Sequence, residues 1–220
     1  MTTETKKVEE YPVQSRKKVT LEIAGAAIFI ALSAVVSVLT TMYIPRIPNW
    51  GIAIFDPVSL VWITCFLIFG WRAGLLCTGA GTLILFGFDP TGIGPIFKFC
   101  ATIPFIAIPA LAHVLQSKRK SPEKDMKTWL SQRPVYAITM TCAWVARIGL
   151  MMICNYIVFV YVFPPYYLAG ADLSFFGLPG VTVWSAVISM VLIINTWQSF
   201  FDVLIPYLLS FRLVPKYMKI

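Results

Sequence analysis

Arg147, Asp202 and Lys98 each place a formal charge inside a long apolar run. A charge in such a setting is costly unless it is paired, hydrogen-bonded or in contact with a ligand. Arg147 lies 13 residues past Pro134, about 20 Å along a helix, and Asp202 lies 10 residues before Arg212, about 15 Å. Similar depths let the two meet. They then form an ion pair joining two helices, or one of them touches a substrate. Arg147, Met151 and Asn155 follow i, i+4 spacing and share one helix face, with Tyr156 beside it. Asn155 presents donors and an acceptor together. That suits an interhelical hydrogen bond or the polar edge of a heterocycle.

The tripeptide Phe-Asp-Pro occurs twice, at Phe55-Asp56-Pro57 and Phe88-Asp89-Pro90. Asp before Pro makes a helix N-cap followed by a favourable first helical residue. The same Phe and Asp also suit the mouth of a pocket. Lys98 is read as the counter-ion of Asp56 or Asp89, or as a substrate contact. Glu22 sits within a turn of a polar flank and can snorkel. Tyr43, Trp50, Tyr161, Tyr166 and Tyr167 fit an interfacial belt, or a surface on which a flat ligand stacks.

Other chemistries lack their residues. Cys65, Cys77, Cys100, Cys142 and Cys154 form no CxxC pair, and His113 is the one histidine. No metal site is expected, and the cysteines read as small core hydrophobes. HExxH, GxSxG and GxxxxGK[ST] are all missing from the sequence. Cys77 to Thr82 is glycine-rich but lacks the lysine of a phosphate loop. The chain is therefore expected not to be an enzyme and to need no cofactor. An ATP-driven engine would have to be another polypeptide.

Those charges must be held by elements suited to lipid. Hydrophobic residues make up 58% of the 220 and charged residues 13%, with mean hydropathy +0.78. A soluble domain is nearer half apolar and a quarter charged. The expected fold is all-α: an integral membrane bundle of six transmembrane helices in a multi-pass cell-membrane protein. Residues 1–18 are read as a polar cytoplasmic tail and 19–220 as the membrane domain. The expected spans run from about Val19 to Ile44, Gly51 or Pro57 to Phe69, Ala73 to Gly87, Ile96 to Leu115, Val135 to Phe163, and Asn195 to Val214. Val181 to Ile194 is read as an outer interfacial or half-inserted segment. Gly74, Gly79 and Gly81 suggest close packing of the third span.

Charge asymmetry orients this layout. Fifteen of the 18 Lys and Arg fall in residues 1–20, at Arg72, in the 116–134 loop and at the C-terminus. With six spans these segments share one side, which the positive-inside rule makes the cytoplasm. Both termini are then cytoplasmic. The clustered charge reads as a topology signal, and no nucleic-acid partner is expected.

The order of motifs resembles the substrate-binding S component of energy-coupling factor vitamin transporters. Its carriers are the AxxxA of Ala27 and Ala31, the stretch Gly51–Phe86 with Phe55-Asp56, Phe69-Gly70 and a small-residue span, and Gly92–Phe99. Asn155-Tyr156, followed by Tyr161 and Pro164, is most similar to the riboflavin branch. Phe201-Asp202 stands where that branch has Phe-Asn. The resemblance implies a six-helix bundle holding its vitamin near the outer face, with Phe55, Asp56, Lys98, Asn155, Tyr156 and Asp202 as candidate substrate contacts. It also implies partners: a transmembrane coupling protein, docked at Ala27 and Ala31, and two cytoplasmic ATPases. Three other readings stand beside it. They are an S component for another vitamin, a stand-alone secondary transporter or channel using Arg147, Asp202 and Lys98 as a relay, and an enzyme uniting Asp56, Asp89 and Asp202.

Overall fold

The computed structural model describes residues 10–48, 50–89, 92–119 and 125–217. The all-α expectation holds. In chain order the elements are α1 (Glu10–Tyr43), α2 (Val58–Phe69), α3 (Trp71–Leu85), α4 (Ile93–Arg119), α5 (Met126–Leu130) and α6 (Arg133–Ile157). Then come α7 (Pro165–Ala169), a short antiparallel pair β1 (Asp172–Leu173) and β2 (Leu178–Thr182), α8 (Val183–Leu208) and α9 (Val214–Tyr217). Helix α1 begins within the stretch assigned to the tail, so residues 10–18 continue the first long helix.

Among the described residues, four stretches are long and apolar enough to cross a membrane: Val19–Tyr43, Ile93–Ser117, Arg133–Val162 and Val183–Leu213. They suit a membrane protein. The third and fourth exceed their α-helices because wider π turns, Val158–Val162 and Leu209–Leu213, extend them. Pro104 and Pro109 lie inside α4 without ending it, as the freed carbonyls of apolar bundles permit.

The division of the last stretch at Asn195 is overturned. Val181–Ile194 is not a separate interfacial segment, because α8 runs unbroken from Val183 through that point. No Gly or Pro stands between Val183 and Asp202 to stop it. Its first turns pack under a cap. Ala186, Val187, Met190 and Ile194 are buried with Ile47, Ala171 and Leu173. In the cap, residues 44–48 and 50–54 lie against each other, with Ile47 N–H donating to Ile52 O at 2.8 Å. The Trp50 indole donates to Asp172 O at 3.0 Å, tying this turn to β1. Asp172 in turn accepts Ser174 N–H at 2.8 Å, and that backbone bond holds its carboxyl below the usual range.

Helices α2 and α3 are 12 and 15 residues long, about 18 and 22 Å. A straight span needs about 20 residues, so these two form a short hairpin. Gly70 turns it with φ +98°, a conformation open to glycine. Gly74 and Gly81 let the arms close. A Cβ there would come within 2.6 Å of Phe66 Cβ and of Trp62 Nε1 respectively. Gly25 does the same for α1 over the Phe69 ring. Gly79 faces open space and plays no such part, contrary to expectation.

The bundle centre is Ile63, Phe66, Phe105, Ile106 and Met140, with Trp129 and Leu130 of α5 closing the end rich in Lys and Arg. That basic end and the capped end are the two poles of the molecule. Gly81→Val is expected to cost about 1–3 kcal/mol through overpacking, whereas Gly79→Val leaves stability near wild type. Thermal unfolding of the detergent-solubilised variants reads the difference.

Candidate substrate-binding site

At mid-bundle, α6 and α8 face each other through a polar network. Arg147 Nη1 donates to Asp202 Oδ2 at 2.6 Å, Arg147 Nε to Asn195 Oδ1 at 2.9 Å and Arg147 Nη2 to Gln198 Oε1 at 2.9 Å. Its guanidinium lies 5.7 Å from the centre of the Phe105 ring on α4, within cation–π reach. Both ions are about 1% exposed. The expected pair is therefore present, and each of the three guanidinium nitrogens donates one hydrogen bond. The Ser59 hydroxyl on α2 donates to Asp202 Oδ1 at 2.7 Å. Asn195 Nδ2 bonds back to Val191 O at 2.9 Å, and Gln198 Nε2 reaches Ala53 O at 3.4 Å. The network thus links α2, α6, α8 and the cap.

Toward the capped end the polar groups become half-buried. Asp56 Oδ1 accepts Val58 N–H at 3.0 Å, capping α2 as its Asp-Pro sequence suggests. Its other oxygen pairs with Lys98. Asp89 lies against the first turn of α4, where a Cβ at Gly94 would overlap its carboxylate. Lys98 therefore takes Asp56 as counter-ion. Phe55 meets Phe201 edge-on at 5.3 Å. Ser59 Oγ, already bonded to Asp202, lies 3.4 Å from the Asp56 carbonyl oxygen. Four of the six candidates, Phe55, Asp56, Lys98 and Asp202, thus gather around the start of α2.

Asn155 stands two turns above Arg147. Its Nδ2 donates to Met151 O at 2.8 Å, and its Oδ1 has no hydrogen-bond partner among the described residues. Met151 below it is buried with Ala101 and Val191, and Ala101 is three residues past Lys98 on α4. Tyr156 turns aside. It is mostly exposed and stacks on Trp184 with centroids 5.6 Å apart. Ala27 and Ala31 both lie on the exposed face of α1, while Ala26 and Ser33 face the α2–α3 hairpin.

Asn195, Gln198 and Ser59 were not anticipated. Asn195, Gln198 and Asp202 at i, i+3, i+7 make a polar stripe on one face of an apolar helix, and that spacing was legible. Ser59 carried no comparable signal. Among the described residues, no group of three His, Cys, Asp or Glu could hold a metal ion. No family model, curated protein or solved structure matches this chain.

Removing one partner strands a buried charge. Arg147→Met or Asp202→Leu is expected to destabilise by about 3–5 kcal/mol, and the double variant Arg147→Met/Asp202→Leu by much less. A double-mutant cycle of unfolding free energies checks this coupling.

Proposed function

We propose that the chain is the membrane-embedded substrate-binding subunit of an energy-coupling factor vitamin importer, with a flavin, riboflavin or a close relative, as its cargo. The observation carrying this reading is the gradient along the bundle. The Arg147–Asp202 network is buried and internally bonded, whereas Lys98, Asp56 and Asn155 are half-buried. A polar, flat vitamin needs that combination: a few convergent polar groups among aromatic and apolar walls. The edge-on Phe55–Phe201 pair supplies aromatic wall, and Asn155 Oδ1 is an acceptor for a ring N–H.

In this reading all six long and short helices cross, both termini face the cytoplasm, and the basic end is the inner one. The α2–α3 hairpin then spans only where the bilayer thins or neighbouring helices shield it. Exposed Ala27 and Ala31 let a coupling protein approach closely. Two cytoplasmic ATPases would act through that protein, and the chain itself performs no catalysis.

A stand-alone carrier using Arg147, Asp202 and Lys98 as a relay has less support, because all three are held in ion pairs. An enzyme joining Asp56, Asp89 and Asp202 has less still. Asp56 and Asp202 answer to different cations.

The purified protein is expected to quench riboflavin fluorescence or to carry flavin absorbance. Asn155→Leu is expected to weaken binding about tenfold, the worth of roughly one hydrogen bond. Colourless protein that leaves added riboflavin unquenched removes the flavin. Reporter fusions finding either terminus outside the cell remove the topology.

A further inference from the structure

A cavity lies between α6 and α8, reaching Arg133 at the basic end. Between α6 and α8 a groove of about 520 Å³ opens sideways from the bundle, within the range of small-molecule pockets, about 300–1,000 Å³. Along α6 it runs from Arg133 to Trp144. Eleven residues of helix make about 16 Å, roughly half of a ~30 Å hydrocarbon core. The groove therefore has the depth of one leaflet. Its upper end is closed where the Trp144 indole donates to Thr196 Oγ1 at 3.3 Å. A crossing helix from a partner could not continue past that bridge within the groove.

The walls are apolar and aromatic, formed largely by Tyr136, Met140, Phe200 and Val203. The Tyr136 hydroxyl is already given to Val203 O at 2.7 Å. Ser199, also on the lining, is 4% exposed and its hydroxyl has no hydrogen-bond partner. The mouth at the basic end is different. Arg133 is exposed and has no ion-pair partner among the described residues. It opens α6, whose N-cap makes no side-chain bond and whose first turn holds no acidic residue. Free backbone N–H groups and the helix dipole add positive potential there.

We propose that this groove binds one acyl chain of an anionic phospholipid, from the leaflet at the basic end, with its phosphate held by Arg133 and the start of α6. A positive mouth over an apolar slot of single-leaflet depth matches a headgroup above a chain, and matches neither a flat vitamin nor a helix. The site stands independently of the vitamin reading and requires only that the bundle lie in a bilayer.

The test uses full-length, delipidated protein in detergent with equimolar phosphatidylglycerol and phosphatidylcholine, read by native mass spectrometry. One phosphatidylglycerol is expected to be retained with about fivefold preference, the worth of one basic side chain near anionic lipid. Arg133→Gln is expected to abolish the preference while a lipid still binds. Ala137→Trp, which fills the groove from an exposed position, is expected to release both lipids. Equal retention by wild type, an unchanged preference in Arg133→Gln, or a lipid-free dimer seated through this face overturns the proposal. Riboflavin quenching on the same samples reads the vitamin site separately, and neither substitution is expected to alter it.

Discussion

A guanidinium and a carboxylate cannot lie apart in an apolar bundle, and Arg147 with Asp202 meets that requirement for several helices at once. The pair alone would be weak support for stability, since desolvating two ions offsets most of their attraction. The surrounding bonds change the balance. Asn195 and Gln198 accept from the other two guanidinium nitrogens and Ser59 donates to the second carboxylate oxygen, so each nitrogen and each oxygen of the pair has a partner. The same geometry fixes the relative height of α6 and α8. A sliding motion of one helical turn would break each of these bonds together. The network is a register lock, and the apolar layers above and below follow from it.

Asp56 links that lock to the cap. One oxygen caps the start of α2 and the other holds Lys98 of α4, while Ser59, a single turn further on, reaches Asp202. A single short segment, Phe55 to Ser59, thereby couples the start of the hairpin to α4 and α8. Loading or emptying a site beneath the cap would act on this segment first. The half-buried state of Lys98 fits such a position, because its charge is neither hidden nor fully solvated.

Much of this was legible in the residues. Composition pointed to a membrane protein, and the apolar runs located the end of α1 and the starts of α4 and α6 within a few residues. The Arg147–Asp202 meeting followed from counting helical rise from two opposite ends. The Asp-Pro motif marked the start of α2. What remained hidden has physical causes. A 33-residue apolar run has no internal signal telling a long helix from two shorter pieces, so the continuity of α8 depended on burial beneath a cap made by distant residues. Gly79 looked like Gly74 and Gly81 because spacing shows that a residue is small but not which neighbour needs the room. Tyr156 turned from the expected cluster because Trp184, 28 residues away, offered its ring a stacking surface.

The distance in sequence between the two locked ions sets a condition on how the chain is made. They are 55 positions apart. At synthesis rates of about 5–20 residues per second, the arginine emerges roughly 3–11 s before its carboxylate exists. If α6 spans a bilayer, it enters or waits beside it with its cation unmatched, at an insertion cost of about 2.5–3.5 kcal/mol that its many apolar neighbours can carry. The lock closes only when α8 leaves the ribosome.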